Sequence, residues 1–107
     1  MEEQSACRKK LQKLNFMDHF MDRSDFDGIA ENVKDLFGKT GKKCEVNPPF
    51  YCDYGSHIEV GENFFANYNC TIIDVAKVRI GANCFMAPNV LLYSRPPGSS
   101  GYPQFYV

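Results

Sequence analysis

One phrase is written twice in this chain, and few folds accept such a phrase. Ile58-Glu59-Val60-Gly61-Glu62-Asn63-Phe64-Phe65 returns as Val78-Arg79-Ile80-Gly81-Ala82-Asn83-Cys84-Phe85, and Asn69 returns as Asn89, all at an offset of 20 residues. A finer period runs inside the repeat, because every sixth residue from Val60 is apolar: Val60, Ala66, Ile72, Val78, Cys84 and Val90. The helix period of about 3.6 does not select that set, and strict alternation over so long a run would demand a very long strand. Six-residue periodicity suits very short parallel strands wound into a triangular prism, each coil burying its inward aliphatics on the next. Three hexads make a turn of about 18 residues. The longer offset therefore predicts a two-residue insertion in the coil, most naturally at Asp74-Val75-Ala76-Lys77.

Composition excludes several function classes. The 107 residues suffice for one domain with a modest core. A net charge of -1 offers no clustered cationic surface for phosphates, so nucleic acid is not an expected partner. No run of about 18 apolar residues is present, so no membrane span is expected. The start, Met1-Glu2-Glu3-Gln4, is acidic and lacks the apolar stretch of a secretory signal, which makes the cytoplasm the expected location. Cys7, Cys44, Cys52, Cys70 and Cys84 include no C-x-x-C pair, and only His19 and His57 could join them, so no metal site is expected. Reduced thiols serving as small hydrophobes are the expectation, with Cys70 and Cys84 at or near inward positions.

Ahead of the repeat the period changes. Cys7, Leu11, Leu14, Met17 and Met21 share one side of a helix, opposite Arg8, Lys9, Lys10 and Lys13. Asp18 and Asp22 blunt the basic side, which favours packing on the body of the protein over a membrane surface. Ser24-Asp25-Phe26-Asp27 reads as an N-cap, Ile29, Val33, Leu36 and Phe37 supply a second apolar stripe, and Gly38 stands where a left-handed C-cap would. Together these predict a helical hairpin.

Other local signals fail on context. Gly38-Lys39-Thr40 resembles the end of a phosphate-binding loop, but Val33 stands where the first glycine belongs and a helix precedes it, so Gly38 to Lys43 reads as a solvated linker. Asn69-Cys70-Thr71 fits a glycosylation acceptor, which carries no weight without a secretory signal. Asn63, Asn83 and Asn89 recur with the coil and read as corner residues, and Gly61 and Gly81 as turn glycines.

Pro48-Pro49-Phe50 breaks any helix and leads an extended segment into the repeat. Cys52-Asp53-Tyr54-Gly55, the phrase from Ile58 to Cys70, Ile73-Asp74-Val75-Ala76, Val78-Arg79-Ile80-Gly81 and Ala87-Pro88-Asn89-Val90 follow in order. This set resembles the maltose and galactoside O-acetyltransferases, a family of hexapeptide-repeat acyltransferases. The likeness runs from residue 7 to residue 93 and is densest from Pro48. It implies a mainly β fold: a left-handed parallel β-helix of two to three coils, cut short, under an N-terminal α-helical hairpin cap. The expected divisions are 1–43 for cap and linker, 44–93 for the coils and 94–107 for an irregular tail.

The resemblance also implies chemistry. The family joins acetyl-CoA and a sugar hydroxyl in a cleft between subunits of a trimer. A histidine in a Thr-His-Pro stretch takes the hydroxyl proton, work that suits imidazole. Here Pro97 stands in that place and offers no base, so no catalytic residue is assigned. His57 and His19 read as surface or packing residues, since neither has an aligned partner. On the acceptor side, Asp53, Asn67 and Asp74 fall on or beside family positions that bind the sugar, as carboxylate acceptors and an amide donor. Asp74 only adjoins a family acidic position, which Val75 occupies here. The expectation is therefore an N-terminal portion of a sugar O-acetyltransferase, inactive by itself and binding acetyl-CoA poorly, with homo-oligomers as its assembly. The alternative is a non-catalytic β-helical assembly or interaction module. A β-helical carbonic anhydrase would need several metal-binding histidines and is not supported.

Overall fold

The computed structural model describes residues 2–20 and 26–94. The side chains of Met17 and His19, Met21, the Ser24-Asp25 cap and Pro97 with the tail from residue 95 lie outside the described residues. Two helices come first, α1 (Glu2–Phe20) and α2 (Phe26–Leu36). Eight short strands follow: β1 (Cys44–Val46), β2 (Phe50–Cys52), β3 (Ile58–Val60), β4 (Phe64–Ala66), β5 (Cys70–Asp74), β6 (Val78–Ile80), β7 (Phe85–Met86) and β8 (Leu91–Ser94).

The strands stack as the repeat requires. Three parallel sheets, β1-β4-β7, β2-β5-β8 and β3-β6, form the faces of a prism with two full coils and two sides of a third. Every pairing is offset by the same 20 residues, from Cys44 with Phe64 to Asp74 with Ser94. Strand starts within a coil are spaced six, eight and six residues apart, at Cys44, Phe50, Ile58 and Phe64. The two inserted residues therefore sit at the corner between the second and third faces, where the sequence suggested. β8 carries the stack one residue past the expected boundary, to a buried Ser94.

Inward positions follow the six-residue period. Val60, Ala66, Ile72 and Val78 are buried, whereas Cys84 and Val90, on the last coil, are only half-buried. Asn63, Asn69, Asn83 and Asn89 all adopt positive φ, between 58 and 65°. Asparagine tolerates that region better than other side chains with a Cβ. Their amides stack between coils, Asn63 Nδ2 donating to Asn83 Oδ1 at 2.9 Å and Asn69 Nδ2 to Asn89 Oδ1 at 2.8 Å.

The helices close the first coil. Cys7, Leu11 and Leu14 of α1 and Ile29, Val33 and Leu36 of α2 are buried in one core with the strands. Phe37 plugs the prism from below, edge-on to Phe50 and Phe64 with ring centroids at 5.6 and 6.2 Å. Asn15 completes a strand edge: its Nδ2 donates to the Phe50 carbonyl at 3.0 Å and its Oδ1 accepts from the Phe50 amide at 2.9 Å.

Two expectations are corrected. Gly38 to Lys43 is not a free linker: the Val60 amide donates to the Lys39 carbonyl at 2.9 Å, Lys39 bridges to Glu59 in parallel, and the Lys42 amide donates to the Glu62 carboxylate at 3.0 Å. The segment runs beneath β3 as a partial coil. Gly38 is not a left-handed cap either, since Gly55 is the one positive-φ glycine among the described residues. A Cβ on Gly38 would run into the Ser56 carbonyl oxygen, so close approach of backbones explains the glycine.

Candidate functional site

The long corner after β2 is built by a residue of the next coil. Asp74, fully buried at the end of β5, accepts on Oδ1 from the amides of Asp53 and Tyr54, both at 2.9 Å. Its Oδ2 accepts from the Gly55 amide at 2.8 Å. One carboxylate thus satisfies three successive N–H groups of a corner too tight to pair with itself. Burial pushes the Asp74 carboxyl up from the ordinary carboxylate range, and the amides of Tyr54, Asp53 and Gly55 pull the other way. Gly55 turns the corner at φ 74°, over Leu36, whose carbonyl oxygen would lie 2.6 Å from an added Cβ.

His57 closes the same corner. Its Nδ1 lies 2.7 Å from the Asp74 carbonyl oxygen, and because a carbonyl only accepts, Nδ1 carries a hydrogen. The imidazole stacks on Tyr54, with centroids at 4.4 Å and planes at 21°. The third coil repeats the device with a hydroxyl: Ser94, in register with Asp74, accepts from the Ala76 amide at 3.2 Å and lies 2.7 Å from the Ala76 carbonyl, to which it donates.

The three residues named from the sequence meet different fates. Asp53 stands half-buried on the corner after β2, and its carboxylate has no hydrogen-bond or ion-pair partner among the described residues. Asn67 stands half-buried on the corner after β4, its Oδ1 accepting from the Tyr68 amide at 2.8 Å. That bond fixes the carboxamide plane and gives Nδ2 the donor role toward a ligand. The left-handed corner residue is Asn69, not Asn67, whose side chain instead bonds the backbone of its own corner. Asp74 departs from the expectation of an acceptor contact: closed to solvent and committed to three amides, it acts through the Asp53 corner. One chain brings Asp74 to Asp53 but leaves Asn67 a face away, across β5.

Sequence reasoning missed the staple and the histidine beside it. The signal existed, since the 20-residue offset stacks Asp74 on Tyr54, in the middle of the three amides.

Outside the corners the three faces differ. Glu59 pairs with Lys77 and Arg79 at 3.4 Å each on the third face. The second face exposes Tyr51, Leu91 and Tyr93, and on the first Phe65 and Phe85 stack at 4.8 Å. No helix among the described residues is long and apolar enough to cross a membrane.

Comparison with known proteins gives one consistent picture. No family model matches the chain. It is 48% identical over 60 residues to the galactoside O-acetyltransferase of Escherichia coli, a match covering 56% of this chain and 30% of that protein. The structure of a maltose O-acetyltransferase from Clostridium difficile superposes with a TM-score of 0.81 at 37% identity, over 92% of this chain and 51% of that one. A galactoside acetyltransferase in complex with coenzyme A gives a TM-score of 0.79 at 34% identity, over 92% and 48%. The chain spans about a third to a half of the length of the curated relatives it matches. These likenesses set the hand of the coils: the fold is a left-handed parallel β-helix with an α-helical cap, as the sequence indicated.

Proposed function

We propose that this chain, which resembles part of the maltose and galactoside O-acetyltransferases of the hexapeptide-repeat class, serves acetyl transfer from acetyl-CoA to a sugar hydroxyl and supplies the acceptor side. In that reaction the hydroxyl oxygen attacks the thioester carbonyl, the carbon–sulfur bond breaks, and a base takes the hydroxyl proton. The observation that carries the reading is the pair of polar corners. Asp53 offers a carboxylate that accepts from sugar hydroxyls, held in place by Asp74, and Asn67 offers an oriented amide donor.

The assembly we propose is a homo-oligomer, a trimer as in the family resemblance. Asp53 and Asn67 lie on different corners, so a sugar touching both takes one residue from each of two neighbouring copies. The apolar second face, with Tyr51 and Leu91 at matching positions of β2 and β8 on either side of Thr71, supports burial against a copy.

The same reading makes the 107 residues inactive by themselves. Proline at position 97 provides no base, and loss of a positioned base costs about 10²- to 10⁴-fold. Thiol release from acetyl-CoA, measured with maltose, glucose or a galactoside present, should stay at background. Restoring histidine at position 97 alone should not raise it. Turnover above background that Asn67→Ala abolishes would show that this chain carries its own base and donor site.

A further inference from the structure

Cys7 and Cys52 stand 45 positions apart in sequence, and the fold sets their Sγ atoms 3.5 Å apart in the seam between α1 and β2. Both are buried, at 2% and 8% exposure. Cys7 Sγ also lies 3.6 Å from the Cys52 carbonyl oxygen. No other pair of thiols is in contact among the described residues, and all five cysteines are free. The seam does not depend on sulfur for its position. Asn15 grips both backbone groups of Phe50, two residues before Cys52, so α1 lies along β2 whatever the oxidation state of the thiols.

We propose that Cys7 and Cys52 form an oxidisable dithiol, which a small-molecule disulfide of the glutathione class converts to an intramolecular bond tying the cap helix to the first coil. The chemistry proceeds by two exchanges. The Cys7 thiolate attacks one sulfur of the small disulfide, giving a mixed disulfide at Cys7 and releasing one small thiol. Cys52 then loses its proton to solvent and attacks the Cys7 sulfur; the Sγ–Sγ bond forms and the second small thiol leaves. The two protein thiols give up two electrons and two protons, which the oxidant takes up as two small thiols.

Either sulfur can donate in the contact, and the order of attack follows from the opposite directions in which the shared bond moves the two thiols. The Cys52 thiol hydrogen-bonds to Cys7 and lowers the Cys7 thiol from its ordinary value, against burial. The same bond, with burial, pushes Cys52 up. The thiolate is the attacking species, so Cys7 reacts first and Cys52 resolves. A disulfide needs about 2.05 Å between sulfurs, and closing the remaining gap of roughly 1.5 Å lies within reach of side-chain rotation. Because the pair is buried, the oxidant gains access only when α1 lifts locally, so the bond forms slowly and then opposes that lifting. Disulfides of this exchangeable kind, rather than permanent ones, are those found in reducing compartments.

The test uses the full 107-residue protein in glutathione buffers of graded ratio, quenched with acid, alkylated and mapped by mass spectrometry. At oxidising ratios the protein should lose about 2 Da and yield a linked pair of peptides holding Cys7 and Cys52, with Cys44, Cys70 and Cys84 still alkylated. The midpoint of thermal unfolding should rise by about 5–15 °C and fall back on adding dithiothreitol. Cys7→Ser and Cys52→Ser should each abolish the link and the shift, and Cys44→Ser should leave both. The proposal is overturned if Cys7 and Cys52 remain alkylatable in oxidising buffer, if the end product is a glutathione adduct, or if the links join two chains. The map of the unmodified protein decides the matter even where a serine variant fails to fold.

Discussion

The first coil and the last described coil are covered in different ways. At the first coil, Asn15 satisfies the edge at Phe50, Lys39 runs beneath β3 as a partial strand, and Phe37 fills the bottom of the core. At the last coil, Cys84, Val90 and Leu92 are only half-buried, and Phe85 and Leu91 are 66% and 62% exposed. The long corners show the same contrast at one position. The first is held by the Asp74 carboxylate through three amides, the second by the Ser94 hydroxyl through one. A hexad pattern thus specifies how coils stack, while closing the first coil takes groups that are not coils.

The contrast can be broken from its strongest point. Asp74→Ala strands three amides of the first corner and should cost about 3–4 kcal/mol, as a fall in the urea midpoint with unchanged slope. Asp74→Asn keeps an oxygen for two amides but turns an NH₂ toward the Gly55 amide, and should cost about half as much. A loss below about 1 kcal/mol for the alanine variant would mean that water replaces the carboxylate and the corner is not stapled.

Asn15→Ala comes next. Removing both bonds to Phe50 should cost about 2 kcal/mol and speed hydrogen exchange at the Phe50 amide more than at β8. Equal acceleration at both ends would mean that α1 contributes to stability without closing an edge. Ser94→Ala, at the less elaborated corner, should cost only about 1 kcal/mol. Phe85→Ser, on the exposed outer face, should change stability by less than about 0.5 kcal/mol while reducing self-association in sedimentation. A chain that sediments as a monomer before the substitution would remove the support the apolar faces give to an oligomer.

Legibility in the sequence tracked side-chain signatures. The coil, its 20-residue register, the inserted corner and the asparagines at positive φ were all written in residue types that recur. The segment from Gly38 to Lys43 was misread because its pairing with β3 uses backbone groups, which leave no pattern in side chains. Asp74 was named because it adjoins a family acidic position, whereas the three amides it holds lie 19 to 21 positions upstream. Contact between Cys7 and Cys52 was not legible, since cysteine spacing says nothing of a helix folded back on a strand. The acceptor residues were named from family likeness, and geometry then separated Asn67 from its neighbour Asn69 through the sign of φ.

The central claim is that the corners bearing Asp53 and Asn67 bind one sugar between neighbouring copies. It is tested most directly by following backbone amide resonances while a galactoside or maltose is added to the protein. The account predicts saturable shifts confined to residues 53–57 and 67–69, lost in both corners when either Asp53→Ala or Asn67→Ala is introduced. Shifts centred on Glu59 and Arg79 of the charged face, or none at either corner while the protein is oligomeric, would contradict it.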